Sequence, residues 1–231
     1  MRVLAISSQK GGSGKTTLAG HIAVQAQKMG AGPVALVDTD PQGSLADWWN
    51  ERQDETPVFV STYVSRLAAD IERMRDAGIK LLVVDTPPAI TDTIADVVHV
   101  SDLIIIPTRP SPHDLRAAGA TVELVENLGK PLIFVINAAT PRARMTSDAA
   151  CALSQHGTVA PVIIHHRADF AASMIDGRTV MEVSKAARAA SEITKLWEYI
   201  DARLISGRRK TIMPSSTASV IEKPSFNVGV H

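Results

Sequence analysis

Gln9-Lys10-Gly11-Gly12-Ser13-Gly14-Lys15-Thr16-Thr17 is a glycine-rich stretch near the start of the chain, and it decides the fold. An apolar run, Val3 to Ile6, precedes it, and a run with helical composition, Leu18 to Met29, follows it. A strand, a glycine-rich loop and a helix in this order are typical of the loop that binds nucleotide phosphates. The stretch therefore predicts an α/β protein of the P-loop class.

The residues of this loop have separate predicted tasks. Its three glycines allow the backbone to turn tightly, so that N–H groups point inward at phosphate oxygens. The helix that follows adds its positive N-terminal end. Lys15 would reach the β- and γ-phosphates, and the Thr16 hydroxyl would ligate Mg²⁺. The predicted phosphate-binding residues are Gly11, Gly12, Ser13, Gly14, Lys15, Thr16 and Thr17.

Length and composition limit the possible classes of protein. The 231 residues fit one large α/β domain. Lysines and arginines number 24 and acidic residues number 24, so a nucleic-acid contact would need a local patch rather than bulk charge. One cysteine, Cys151, excludes an intramolecular disulfide. There is no signal-peptide pattern and no apolar run near the roughly 18 residues that cross a membrane, so we expect a cytoplasmic protein without a transmembrane segment.

Apolar runs without alternation recur along the chain and are separated by helical patterns. This combination favours a doubly wound, mostly parallel sheet with helices on both faces. Further predicted strands are 34–37, 58–60, 80–85, 103–106, 131–136 and 159–164. Further predicted helices are 44–50, 65–77, 112–127 and 180–205, with one more around Cys151. We predict an ATPase domain over 1–206 and a mobile tail over 207–231, where the periodicity fades.

Acidic residues stand at the ends of two predicted strands, where ligands of parallel sheets bind. Asp85 closes the run 81–84 and would hold Mg²⁺ beside Thr16. Asp38 and Asp40 lie two residues apart after the run 34–37, so both can project to one side. Chemistry alone does not decide whether Asp38 or Asp40 orients the attacking water molecule.

The phosphate loop departs from the usual pattern in a specific way. Gln9 stands where the first glycine is expected, and a second lysine, Lys10, lies five residues before Lys15. With the motif Val-Asp-Thr-Asp-Pro-Gln at 37–42, the loop resembles the deviant Walker A ATPases of the ParA/MinD superfamily, in the short form without an N-terminal helix-turn-helix domain. The resemblance implies that Lys10 crosses a dimer interface to the partner's nucleotide.

The same resemblance implies further roles at individual positions. Lys10, Lys15 and Asp40 would be catalytic, with Asp40 positioning or activating the attacking water. Asp38 would support the Mg²⁺ shell that Thr16 and Asp85 form. Asn137, at the end of the strand 131–136, resembles the residue that recognises the adenine edge, since an amide offers both a donor and an acceptor.

In the ParA-type partition ATPases, the ATP-bound dimer binds DNA nonspecifically, and a centromere-binding or cargo adaptor protein stimulates hydrolysis. The resemblance therefore implies segregation of plasmid or chromosome DNA and nucleoid association. A local excess of basic residues near the C-terminus is compatible with phosphate contacts and equally with a solvated helix face. The candidate DNA-binding residues are Arg167, Lys185, Arg188 and Lys195.

Other functions share the fold and remain open at this stage. A regulator of the MinD type acts on a membrane surface, but Pro214 and the Ser/Thr run after it disfavour the amphipathic helix that this requires. An electron donor like nitrogenase iron protein needs cluster cysteines that this chain lacks. A ligase like dethiobiotin synthetase needs a substrate pocket that the sequence does not reveal. An ATPase that positions a protein assembly is hardly separable from DNA partition.

Overall fold

The computed structural model describes residues 1–88, 92–183 and 188–212. Seven strands form one sheet in the order β3-β2-β4-β1-β5-β6-β7, and all its neighbouring strands are parallel. The strands are β1 Arg2–Ile6, β2 Val34–Asp38, β3 Val58–Phe59, β4 Leu81–Asp85, β5 Leu103–Thr108, β6 Leu132–Ile136 and β7 Thr158–Val159. The predicted fold class is confirmed.

Nine helices occur in the described part of the chain. They are α1 Lys15–Lys28, α2 Ser44–Asn50, α3 Val64–Asp76, α4 Asp92–Val100, α5 Pro112–Asn127, α6 Arg144–Ser154, α7 Ala168–Met174, α8 Val180–Val183 and α9 Arg188–Ile212. A local signal explains the start of α5. Ser111 caps α5 by accepting a hydrogen bond from the Asp114 N–H, with Pro112 at the first helical position.

Two hydrophobic cores cover the two faces of the sheet. Alternate strand residues such as Leu4 and Val83 pack with α1, α2 and the helices α7 to α9. Their neighbours Ala5 and Val84 point to the opposite face and pack with α3 to α6. Both faces of the sheet are therefore buried, and continuous apolar strands are the sequence pattern that this arrangement requires.

Three segments differ from the predicted elements. The last predicted strand, 159–164, is wrong beyond Val159, because Pro161 has no N–H to donate to the ladder. Pairing resumes only at Ile164, whose N–H reaches the Ile136 carbonyl, and at a single bridge between Ala139 and His165. The predicted helix 180–205 appears as α8 and α9, with 184–187 outside the described residues.

The last helix extends beyond the predicted domain boundary at residue 206. Helix α9 continues to Ile212, six residues past that boundary. Residues 213–231 of the predicted tail lie outside the described residues. Helices α4 and α7 have no counterpart among the predicted elements.

Candidate nucleotide site

The phosphate loop lies at the centre of the sheet, between the carboxyl end of β1 and the first residue of α1. Gly12 and Gly14 have φ angles of 74° and 93°, which L side chains rarely adopt. A Cβ on Gly14 would also lie 2.2 Å from the amide nitrogen of Asn137. Glycine is therefore required at position 14 for two independent reasons.

An open cavity of about 680 Å³ surrounds this loop. Its walls come from the loop, from the β2–α2 segment and from the end of α7. The lining residues are Gly11, Gly12, Gly14, Lys15, Thr16, Thr17, Asp40, Gln42, Ser44, Asp47, Trp48, Glu51, Pro88, Arg109 and Met174. The side chains of Gln9 and Ser13 each bury a polar atom, Nε2 and Oγ, that has no partner within the described residues. Ser13 lies two residues before α1, and an unpartnered donor beside a helix N-terminus is suited to a phosphate group.

Lys15 is buried at the base of the cavity. Burial lowers the pKa of its ammonium group, and the negative charges of Asp85 and Asp40 oppose that change. The ammonium nitrogen lies 3.5 Å from the Lys10 carbonyl oxygen. A buried cation with one long hydrogen bond is suited to an anionic ligand.

Thr16 and Asp85 form the part of the site that suits a metal ion. The Thr16 hydroxyl donates to Asp85 Oδ2 at 2.6 Å. Burial raises the pKa of Asp85 to about 7, with a smaller contribution from the charge of Asp38, and the hydrogen bond from Thr16 and the charge of Lys15 oppose it. A buried carboxylate that lacks enough compensating positive charge, beside a hydroxyl, is a suitable partial ligand set for Mg²⁺.

Asp38 has a role in the fold that the sequence pattern did not predict. Its Oδ2 accepts the N–H groups of Leu45 and Ala46 at 2.9 and 3.2 Å, which caps the N-terminus of α2. Its Oδ1 accepts the Asp40 N–H at 2.9 Å. Burial raises the pKa of Asp38, while these hydrogen bonds lower it. The predicted contribution of Asp38 to the Mg²⁺ shell stays a proposal.

Asp40 follows Asp38 in the loop between β2 and α2. Its carboxylate lines the cavity, and Oδ1 accepts the Gln42 N–H at 3.0 Å. Strand β2 pairs with β4 so that Asp38 stands opposite Asp85. Asp40, Lys15 and Thr16 therefore line one cavity, and Asp85 is joined to it through the hydroxyl of Thr16.

Asn137 contacts the phosphate loop itself. Its side chain is buried, and Nδ2 donates to the Ser13 carbonyl oxygen at 2.7 Å. Asn137 is absent from the residues that line the cavity as described. In this conformation its amide therefore supports the loop, and adenine recognition by Asn137 stays a proposal.

Lys10 makes an ion pair within its own chain. Its ammonium nitrogen lies 2.7 Å from Asp114 Oδ2, at the start of α5. Burial raises the pKa of the Asp114 carboxyl, but the hydrogen bonds from Lys10 and Ser111 outweigh burial and hold that pKa below its usual value. No role had been predicted for Asp114. The pattern Ser-x-x-Asp at 111–114 is a helix-start signal that placed it at the N-terminus of α5.

The candidate DNA-binding residues fall into three groups. Arg188 and Lys195 are exposed on α9, seven residues apart and hence on one side of the helix. Arg167 is engaged with Glu192 at 2.6 Å, which leaves it less available to a phosphate. Lys185 lies outside the described residues.

Along the described ranges, no helix has the length and apolar character to span a membrane.

Known proteins resemble this chain in sequence and in structure. The profile of the CobQ/CobB/MinD/ParA nucleotide binding domain matches residues 4–180. Maintenance of carboxysome distribution protein A of Halothiobacillus neapolitanus is 30% identical over 198 residues, which cover 82% of this chain and 91% of that protein. The chromosome-partitioning ATPase Soj of Thermus thermophilus is 24% identical over 157 residues, which cover 55% and 63%. The Aquifex aeolicus MinD cell division protein shares the fold, with a TM-score of 0.74 at 19% identity over 87% of this chain and 97% of MinD.

Proposed function

Because the chain belongs to the CobQ/CobB/MinD/ParA nucleotide-binding family, we propose that it is an ATPase that positions a cargo by binding DNA in its ATP state. The family contains partition and positioning ATPases. The observation that carries the proposal is a cavity beside the phosphate loop that Lys15, Thr16 and Asp40 line, with the buried Asp85 hydrogen-bonded to Thr16.

The proposed reaction transfers the γ-phosphoryl group of ATP to water, yielding ADP and phosphate. The oxygen of the water attacks the phosphorus as the bond to the ADP oxygen breaks. Lys15 and the loop N–H groups stabilise the negative charge on the phosphates. Asp40 orients the water. Thr16 and Asp85 would hold Mg²⁺, which neutralises phosphate charge when it is bound.

ATP would also join two copies of the chain. Lys10 is the residue proposed to reach the partner's nucleotide, since it is a second lysine of the phosphate loop, in addition to Lys15. In the described conformation Asp114 binds Lys10, so formation of the dimer would exchange that ion pair for a phosphate contact. Lys10→Ala should therefore bind ATP and stay monomeric. Light scattering measures this, and a normal ATP-dependent dimer would contradict it.

Arg188 and Lys195 are the proposed DNA contacts of the described surface. Two exposed cations per chain give four per dimer, which makes DNA binding depend on the ATP state through dimerisation. Phosphate contacts make the affinity independent of sequence and sensitive to salt. Nucleoid association would follow from such binding.

The cargo is proposed from the relatives. Similarity over 91% of the carboxysome distribution protein supports a protein assembly as cargo. Similarity to Soj supports a DNA cargo, over a smaller share of each chain. In both cases a cargo-bound adaptor would stimulate ATP hydrolysis and release the dimer from DNA.

A gel-shift series with arbitrary duplex DNA tests the proposal. We expect binding with ATP and little without it, and weaker binding as salt rises. The double variant Arg188→Ala/Lys195→Ala should reduce the slope of log affinity against log salt by about one for each cation that no longer neutralises a phosphate. Arg144→Ala, which removes a highly exposed arginine on α6, is the matched control. DNA affinity that ATP leaves unchanged would contradict the proposal.

A further inference from the structure

A buried arginine lies behind the outer wall of the nucleotide cavity. The Arg52 side chain, just after α2, is only 2% exposed. Its guanidinium donates to the Gly177 carbonyl oxygen at 2.6 Å and to the Thr56 carbonyl oxygen at 2.9 Å. It also donates to Glu182 Oε1 at 2.8 Å, and its carbon lies 5.1 Å from the centre of the Trp48 ring. Burying a guanidinium is costly unless it is paired, so this geometry is strongly specified.

The acceptors of Arg52 belong mainly to the turn between α7 and α8. Glu182 Oε2 accepts the N–H of Thr179 at 2.7 Å and its hydroxyl at 2.8 Å, which forms a capping box at the start of α8. Gly177 has a φ of 74°, and a Cβ there would lie 2.3 Å from the Arg52 backbone nitrogen. The turn and the end of α2 are therefore in direct backbone contact, with Arg52 bridging them.

Both of the joined elements reach the nucleotide cavity. Trp48 and Glu51 line the cavity from α2 and its C-terminal end, and Met174 lines it from the end of α7. The Trp48 indole N–H adds a hydrogen bond to the Arg178 carbonyl oxygen at 3.2 Å. Arg52 thus ties together two walls of the cavity without lining it.

Helix α2 has only seven residues and is anchored at both ends. Asp38 caps its N-terminus, and Arg52 fixes the chain just beyond its C-terminus. Asp40 lies in the loop that leads into α2. Movement of α2 would therefore displace Asp40 relative to Lys15. The phosphate loop, by contrast, is held by β1, α1 and Asn137.

We propose that Arg52 is a positioning residue for ATP hydrolysis: by locking α2 to the α7–α8 turn, it keeps Asp40 in place beside the phosphate loop. This inference rests on the proposed ATPase function. Loss of Arg52 should slow the chemical step and leave ATP binding nearly intact, because the phosphate-binding groups have separate supports. A misplacement of about 1 Å in a reacting group can cost about a hundredfold in rate.

Steady-state ATP hydrolysis of the full chain tests the inference with three variants. Arg52→Met removes the charge and the hydrogen bonds, and we expect kcat to fall by about 10- to 100-fold with KM within about threefold. Arg52→Lys keeps the charge but not the fork of donors, and we expect an intermediate kcat. Asp201→Asn removes a more exposed ion pair with Arg2, which begins β1 at the end of that strand opposite the phosphate loop. This control should keep kcat within about twofold.

Circular dichroism and thermal melting establish that each variant is folded. An unchanged kcat in folded Arg52→Met overturns the inference, as does an equal loss of kcat in Asp201→Asn. If Arg52→Met does not fold, Arg52→Lys decides, and wild-type kcat in that variant overturns the inference. A wild-type chain without ATP turnover would instead contradict the proposed function, so the two failures are distinguishable.

Discussion

His21 should make the protein lose stability in mild acid. It lies fully buried on α1, and its ring connects α1 to α8. Nδ1 lies 2.7 Å from the Thr17 carbonyl oxygen and therefore carries the proton, which leaves Nε2 to accept the Val180 N–H at 3.3 Å. The Phe170 ring packs edge-on, with 5.2 Å between the ring centres. A second proton on this ring would break the bond to Val180.

Burial lowers the pKa of His21 from 6.5 to about 4, although the Thr17 carbonyl and the charge of Glu182 oppose it. Between these values the unfolded chain binds a proton that the folded chain does not. The contribution of neutral His21 to the free energy of unfolding is therefore fully present above about pH 7. It is lost as the pH drops towards 4. The gap from 6.5 to about 4 corresponds to about 3 kcal/mol in total. About 2 kcal/mol of this should be lost between about pH 7.5 and about pH 5.

Urea unfolding followed by tryptophan fluorescence measures this loss, with Trp197 in the core as one reporter. His21→Gln keeps a neutral polar side chain and removes the titration, so it should be less stable at about pH 7.5 and have a flatter pH profile. Taking the difference in free energy of unfolding between wild type and variant cancels the titration of the carboxylates that both proteins share. That difference should narrow by about 2 kcal/mol between about pH 7.5 and about pH 5. A difference that stays constant over this range would refute the reasoning.

The remaining predictions concern the loop and the strand ends. Gly14→Ala should weaken binding of a fluorescent ATP analogue at least about tenfold, because its Cβ would clash with Asn137; Gly119→Ala, which meets open space on α5, is the control and should bind normally. Asp38→Ala should lower the free energy of unfolding by about 1–2 kcal/mol, because α2 loses its N-terminal acceptor; an unchanged urea midpoint would contradict this. Asp85→Asn should still bind ATP but slow hydrolysis about a hundredfold or more, as chelation of Mg²⁺ should in wild type; rapid turnover in either case would argue against the metal role.

The sequence predicted most of the fold because its signals are local. Six of the seven strands were predicted near their observed positions, and β7 was met only at Val159, since the buried strands of a parallel sheet require unbroken apolar runs. The errors have physical causes. Pro161 cuts β7 to two residues inside an apolar run that looks continuous. Helix α7 buries only Phe170 and Ser173, one apolar and one polar side chain, so its sequence shows no apolar period.

The candidate site was predictable wherever chemistry and spacing coincide in one stretch, as in the phosphate loop and at Asp85. Partners that are distant in sequence could not be predicted. Asp114 is 104 residues from Lys10, and Glu182 is 130 residues from Arg52. Neither acid has a sequence context that specifies which cation it will meet. Such pairs depend on how the helices pack on the sheet, and only the folded chain determines that.

Lys10 illustrates why these distant pairs matter for function. The resemblance of the two-lysine loop to the ParA/MinD ATPases implies a cation directed at a second subunit, whereas the folded chain holds that cation on Asp114. Lys10 is about two-fifths exposed and Asp114 is 5% exposed, so the acid is fixed and the lysine is the mobile partner. In the proposed dimer, a partner's phosphates would therefore compete with a buried carboxylate for Lys10. Dimerisation through Lys10 would then require several phosphate charges, which ATP provides in greater number than ADP.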